Sequence, residues 1–301
     1  MNTKALFIFT LLLICGIVKS SAQFGITPNQ LIARKYAIGD KYRYKLTLKE
    51  FHDGKLALIS ISVCELKVVT DEKGVPYDEV RWQSKKTTRG HTIVDDTDNA
   101  LLVKPYRISL DSRGSVNLPK IEIWQMTEPI EDFNTFFIAV GSMFPGMDEL
   151  TNKGDSLTMG FPIVADFSNG VSILKGQDAF FMRFKVEEIT DVNFVLKTSF
   201  LPPAKQGFAY LTTDMNAQVV PGTFNNFQMV APAGNELYDV QYGREYFTIT
   251  NTIRKSDGKI VKGEMFNQLN TQLMTNCDKE YKNPSSVRPY SERRILTLEL
   301  L

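Results

Sequence analysis

Cysteine, histidine and tryptophan are scarce in this chain of 301 residues, with 3 Cys, 2 His and 2 Trp. Two histidines leave few bases for a serine–histidine or cysteine–histidine mechanism. His52 falls in the turn sequence His52-Asp53-Gly54-Lys55 and His91 follows Arg89-Gly90, so both read as solvated turn residues. No Gly-x-Ser-x-Gly elbow, His-Glu-x-x-His, Cys-x-x-Cys, Gly-x-Gly-x-x-Gly or phosphate-loop pattern occurs. That removes the recognisable forms of serine-hydrolase, zinc-protease, dithiol and nucleotide chemistry, and no cofactor is expected. An excess of either charge is missing too, because 35 Lys+Arg face 34 Asp+Glu. A nucleic-acid partner, which needs a basic face to displace counterions from phosphate, is therefore not expected. Long hydrophobic runs are absent apart from residues 5–18. At 14 residues that run is too short for a bilayer, which takes about 20, and no transmembrane helix is expected in the mature chain.

The short run has another use. Lys4 precedes it, and Ser20-Ser21-Ala22 follows with small side chains where a signal peptidase reads them. Residues 1–22 read as a signal peptide cleaved near Ala22, before Gln23, which predicts a secreted or periplasmic protein. Cleavage takes away Lys4 and Lys19 and leaves 33 basic and 34 acidic groups. It also leaves two cysteines, Cys64 and Cys277. In an oxidising compartment these can pair; alternatively both are buried thiols, Cys64 lying in phase with Leu66 and Val68.

What dominates the mature chain is alternation. In Lys41–Lys49 each even position is apolar or aromatic and each odd one polar, the pattern of a strand with one buried face. Asp53-Gly54 then fits a tight hairpin, and the return strand runs from about Leu56 to Thr70. There, Ile59, Ile61 and Val63 share one face before Cys64, Leu66 and Val68 take the other, which predicts a bulge or a doubly buried strand. Similar segments continue to the C-terminus. The fold class expected is mostly β: an antiparallel β-sandwich or open barrel with one amphipathic helix. The turn-rich stretch 147–169 divides the chain into β-rich modules 23–150 and 151–301, unless one domain takes both.

The helix is expected near residues 129–144. Ile130, Phe133, Phe136, Phe137, Val140, Met143 and Phe144 recur at spacings of three and four. Large apolar residues on such a face are usually core. Laid across a β scaffold, Phe133, Phe136, Phe137 and Val140 are also the residues expected to line an apolar ligand pocket. Asp95, Asp96 and Asp98 supply hard oxygen donors at short spacing and form the candidate metal site, although the glycine and the final glutamate of an EF-hand loop are missing.

The pattern Gly39-Asp40-Lys41-Tyr42-Arg43-Tyr44, followed by hairpins and by Lys153-Gly154-Asp155-Ser156-Leu157, resembles uncharacterised secreted β-rich families of Gram-negative bacteria. The resemblance implies an envelope protein and assigns no active residues. The function expected is that of a non-enzymatic binding or envelope-associated protein, its partner an apolar small molecule, a lipid, a glycan or another envelope protein. Two alternatives stay open: a carbohydrate-active enzyme using paired carboxyl groups, and an outer-membrane β-barrel.

Overall fold

The computed structural model describes residues 27–116, 119–142, 144–162, 173–175, 179–201, 210–212 and 227–301. The expected signal peptide and Met143 lie outside the described residues.

The alternation of the sequence becomes strands from the outset. β1 (Lys41–His52) and β2 (Lys55–Thr70) form a hairpin. Asp53 and Gly54 close it with φ of +47° and +78°, the two positive angles that a two-residue turn between twisted strands demands. β3 (Pro76–Arg89), β4 (Thr92–Asp95), the short helix α1 (Thr97–Leu102) and β5 (Tyr106–Ile108) follow. A single 3₁₀ turn at Trp124–Met126 leads into α2 (Thr127–Ile138). The remaining strands are β6 (Ser156–Pro162), β7 (Ile173–Lys175), β8 (Ala179–Ile189), β9 (Asn193–Leu201), β10 (Tyr210–Thr212), β11 (Phe227–Gly234), β12 (Leu237–Arg254), β13 (Ile260–Cys277) and β14 (Ser286–Leu300).

All fourteen strands belong to one open sheet of order β4-β3-β2-β1-β14-β13-β12-β11-β10-β7. It forks at β12, whose first half pairs with β11 and whose second half pairs with β9, and the fork continues through β8 to β6. The pairing is antiparallel except between β10 and β11. The mostly β, antiparallel expectation is met by this sheet, in which β1 lies against β14.

The sheet wraps around α2. Phe133 of α2 meets Trp82 of β3 and Tyr44 of β1, with ring centroids 5.7 and 5.8 Å apart. Asn251 of β12 donates to the Phe136 carbonyl at 2.8 Å, and Thr198 of β9 donates to the Ala139 carbonyl at 2.7 Å. From β3 to β9 by way of β1 and β12 is six strand spacings, roughly 29 Å along the sheet. A helix about 10 Å wide reaches both ends only if the sheet curves around it. Consequently every residue from Pro129 to Ile138 is buried, Glu131, Asp132 and Asn134 included. The amphipathic helix is thus enclosed on its polar side as well as its apolar one. It ends earlier than expected, because Gly141 turns the chain with φ +59°, well before Pro145.

The inner face of β2 also differs from the sequence expectation. Leu58, Ser60, Ser62, Cys64, Leu66 and Val68 are all buried, in unbroken phase, while Ile61 is 43% exposed. The irregularity lies in the pairing with β3, between Val63 and Cys64. The convex face of β1 carries Lys41, Arg43, Lys45, Thr47 and Lys49, the reverse of the apolar band of a transmembrane barrel. A second, smaller apolar cluster of Val230, Val240, Met274, Cys277 and Tyr281 is separate from the main core.

Candidate functional site

Register turns the inner face into rows, because residues paired across antiparallel strands stand side by side. The row under the middle of α2 is Thr198, Ile249, Met265, Leu296, Leu48, Ser60 and Thr87. One pleat on come Phe247, Asn267, Arg294, Glu50 and Leu58. The next row is Glu245, Leu269, Glu292 and His52, and the last is Gly243, Thr271 and Tyr290. On β1, β12 and β14 the inner face thus passes from apolar to ionisable within two pleats.

The ionisable rows meet the first turns of α2. Arg294 is 3% exposed and reaches Asp132 at 2.6 Å and Glu128 at 3.1 Å. Glu50, Glu131, Glu245 and Glu292 are also buried there. Asn267 donates to Glu245 at 2.6 Å, His52 Nε2 lies 2.5 Å from Glu50 Oε1, and Tyr290 donates to Glu292 at 3.5 Å. One guanidinium cannot serve six carboxyl groups, so burial prevails. It pushes Glu245 and Glu292 up to about 8 and raises Asp132, Glu131 and Glu50 as well. Burial opposes the charge on Arg294, but Asp132, Glu128, Glu292 and Glu50 together outweigh it, and Arg294 stays a cation. Polar atoms are left over: Glu292 Oε1, Asn267 Oδ1 and Arg294 Nε have no hydrogen-bond partner among the described residues. Each such atom costs about 1–3 kcal/mol.

At this end of the sheet lies an open groove of about 720 Å³, lined mainly from the outer face, where Tyr242, Arg244, Asn270, Gln272 and Ser291 alternate with the inner-row residues Gly243, Thr271 and Tyr290. Tyr242, Gly243 and Arg244 of β12 line it together with Asn270, Thr271 and Gln272 of β13, Tyr290 and Ser291 of β14, and Asp53 from the β1–β2 turn. Tyr290 therefore belongs to both the groove and the acidic rows. His52, which reads from sequence as a turn residue, ends β1 with its ring centroid 5.9 Å from that of Tyr290.

The residues singled out from sequence sit elsewhere. Phe133, Phe136, Phe137 and Val140 do converge, but they are 0–3% exposed and fill the interior, and Phe137 also borders a recess of only about 20 Å³ beside Leu110, Val116 and Phe144. Around Phe136 the fit is so close that a Cβ on Gly263 would fall 2.5 Å from its ring. Asp95 pairs with Lys86 at 3.0 Å and accepts from the Thr97 backbone, Asp96 accepts from Asn99, and Asp98 lies in the first turn of α1. The three do not converge, and no metal-binding group of His, Cys, Asp or Glu is found among the described residues. The Cys64–Cys277 pairing is not made: both thiols are free and buried, Cys64 in the main core and Cys277 in the smaller cluster. The groove and the acidic rows were missed. The signal available was phase: extending the alternation of Tyr42, Tyr44, Leu46 and Leu48 past its last apolar member points Glu50 and His52 inward.

No family model and no curated protein matches the sequence. Solved structures with detectable similarity include lipovitellin, from a study of its lipid–protein interactions, at 10% identity and a TM-score of 0.34, covering 89% of this chain and 25% of that one. OpdH of Pseudomonas aeruginosa matches at 10% identity and a TM-score of 0.20, covering 88% and 99%. A LolA superfamily protein of Nitrosomonas europaea matches at 7% identity and a TM-score of 0.16, covering 94% and 92%. This chain spans a quarter of the lipovitellin chain. Scores this low carry neither fold nor function across.

Proposed function

We propose that this is a secreted or periplasmic ligand-binding protein whose ligand lies in the groove at the polar end of the sheet. The observation that carries the reading is the composition of that groove. Tyr242 offers an aromatic face, and Arg244, Asn270, Gln272 and Ser291, in phase with it, offer guanidinium, amide and hydroxyl groups, while Thr271 and Tyr290 border the groove from the inner phase. Binding sites pair an apolar surface with a few convergent polar groups, and this mixture fits the ring faces and hydroxyls of a glycan. The apolar half of the inner face is already occupied by α2, and among the described residues the recess beside Phe137 has room for only about 20 Å³. The leader-like residues 1–22 support the compartment.

Calorimetric titration of the protein with a panel of soluble oligosaccharides tests this. At least one should bind, and Tyr290→Ala should weaken it tenfold or more. If none binds and none co-purifies with protein from its native host, the reading fails.

A second reading, a carbohydrate-active enzyme, is favoured by one observation. A His52–Glu50 pair and the raised carboxyl of Glu292 both adjoin the groove wall at Tyr290, and perturbed carboxyl groups beside a cleft are candidate acids and bases. New reducing or unsaturated ends released from a bound oligosaccharide, and lost in His52→Ala, would establish it over simple binding.

A further inference from the structure

The open sheet ends at β4, which is bonded to β3 alone among the described strands. The backbone phase of that last pairing is fixed. Asp96 donates to the Lys85 carbonyl at 2.9 Å, and hydrogen-bonded pairs recur at every second residue of an antiparallel ladder. Thr92 and Val94 therefore turn their amides and carbonyls to β3, and Ile93 and Asp95 turn theirs to the open edge. Native edge strands are commonly blunted by lysine, proline or a bulge. β4 has no lysine and no proline, and no register shift interrupts its pairing with β3. All four of its residues are exposed, Ile93 at 68% and Val94 at 42%. Leu101 and Leu102 of α1, and Trp124 in the 3₁₀ turn that α1 touches, are exposed as well.

The charges of the β3–β4 hairpin are sorted by end. Arg89 and His91 stand at its tip, and Asp95, Asp96 and Asp98 follow one another at its root. Of the root lysines, Lys86 pairs with Asp95 at 3.0 Å and Lys85 is engaged with the Gln125 carbonyl, so the root keeps an acidic excess. Laid antiparallel against a copy of itself, the hairpin sets each basic tip beside the other copy's acidic root, a match made twice by symmetry. A strand of another protein has no reason to carry that same sorting. A two-fold axis through a continuous sheet keeps every side chain on its own face, so odd residues oppose odd and even oppose even, and one residue faces its own copy. Ile93 suits that place. Its edge-facing amide and carbonyl bond those of the partner's Ile93, and His91 then faces the partner's Asp95. An axis at Val94 would instead set Ile93 against the carboxylate of the partner's Asp95. We propose that the β4 edge joins two copies of this chain about a two-fold axis at Ile93, so that their sheets run on as one. The inference does not rest on the groove reading, because the groove is lined from β12, β13, β14 and the β1–β2 turn.

Sedimentation velocity of the whole protein, at concentrations from about 1 to 200 µM, tests the association. Monomer should pass to dimer and to nothing larger, because the pairing closes on itself. Ile93→Lys sets two like charges across the axis and should weaken the dimer at least tenfold, as should Ile93→Glu. Since residue 93 faces its own copy, an equimolar mixture of these two variants should recover the dimer that neither forms alone. Under mild oxidation Ile93→Cys should cross-link two chains, its Cα atoms lying about 5.5 Å apart. Val94→Cys, offset by two residues from its own copy, should not. The side chain of residue 93 is exposed, so the charged variants should melt with the wild type; if they melt lower, the two cysteine variants decide. A protein that stays monomeric throughout, or assembles beyond the dimer, would overturn the proposal. So would association unchanged in Ile93→Lys, a mixture no more associated than its components, or a Val94→Cys cross-link as fast as that of Ile93→Cys.

Discussion

β1 carries a charge cluster at each end, and the two are built in opposite ways. Near Tyr42, Asp78 accepts from Arg34 at 3.1 and 3.3 Å, Lys259 reaches Asp40 at 2.5 Å, and Arg254 reaches Asp257 at 2.7 Å. Three acids meet three bases, and Tyr42 adds a hydroxyl to Arg34 and a ring face to Lys259. Roughly 33 Å away along the strand, Glu50 and His52 belong to a cluster where six carboxyl groups surround Arg294. Asp40, Arg254 and Asp257 are partly exposed, but Arg34 and Asp78 are as deeply buried as Arg294 and Asp132, so burial alone does not separate these two pairs. Charge balance does. In the balanced cluster burial raises Asp78, but Arg34 and Lys259 oppose that shift, whereas the acid-rich cluster has one guanidinium for six carboxyl groups and must hold protons, because like charges in a low dielectric cannot all ionise.

Removing one partner from each cluster gives the sharpest contrast. Asp78→Ala strands the guanidinium of Arg34, which cannot shed its charge. A loss of about 3–5 kcal/mol is expected, nearly constant between pH 5 and pH 8 in urea denaturation. Arg294→Met strands carboxyl groups, which can take up protons. A loss of about 2 kcal/mol at pH 5, growing as pH rises, is expected instead. Equal and pH-independent losses for the two variants would erase the distinction.

The next effect is smaller and opposite in sign. Glu245 and Glu292 are raised to about 8, against about 4.3 in an unfolded chain. Between those values the folded protein binds more protons than the unfolded one, so stability falls as pH rises through that window and levels off above it. The wild-type melting temperature should accordingly be higher at pH 5.5 than at pH 8.5. Glu292→Gln removes one of the responsible groups. It should gain about 2 kcal/mol at pH 8.5 and nothing at pH 4. A wild-type melting temperature that rises with pH across this range would contradict the acid-rich cluster.

The same contrast explains which parts were legible in the sequence. Where the inner face is apolar, alternation names the buried side directly, as with Tyr42, Tyr44, Leu46 and Leu48, and the mostly β class follows from it. The three-four spacing locates α2 because Phe133, Phe136 and Phe137 all face core. Where the inner face turns polar, the rule inverts. In β2, Ser60 and Ser62 point inward while Ile61 is exposed, so apolarity assigns those residues to the wrong side. Glu50, Glu245, Glu292 and Arg294 scatter over three strands and become neighbours only through register. No local spacing announces such a cluster. The Cys64–Cys277 pairing failed for a related reason, since the two thiols belong to separate apolar clusters.

The weakest test supplies the baseline for the others. Lys45 and Glu299 pair at 2.6 Å on the outer side of β1 and β14, the two strands that also carry Glu50, Glu292 and Arg294 inside. Their side chains are 38% and 43% exposed, so water and salt screen the pair and either charge is well solvated when its partner is removed. Lys45→Met should change stability by less than about 1 kcal/mol, with no dependence on pH between 5.5 and 8.5 and little left of the effect in 0.5 M salt. Because strand identity, strand pairing and ion-pair distance are nearly the same as inside, enclosure is what differs. A large, pH-dependent loss at Lys45 would mean that pairing β1 to β14 is itself sensitive to charge, and the pH response expected of Arg294 would then belong to the strand pair and not to the buried cluster.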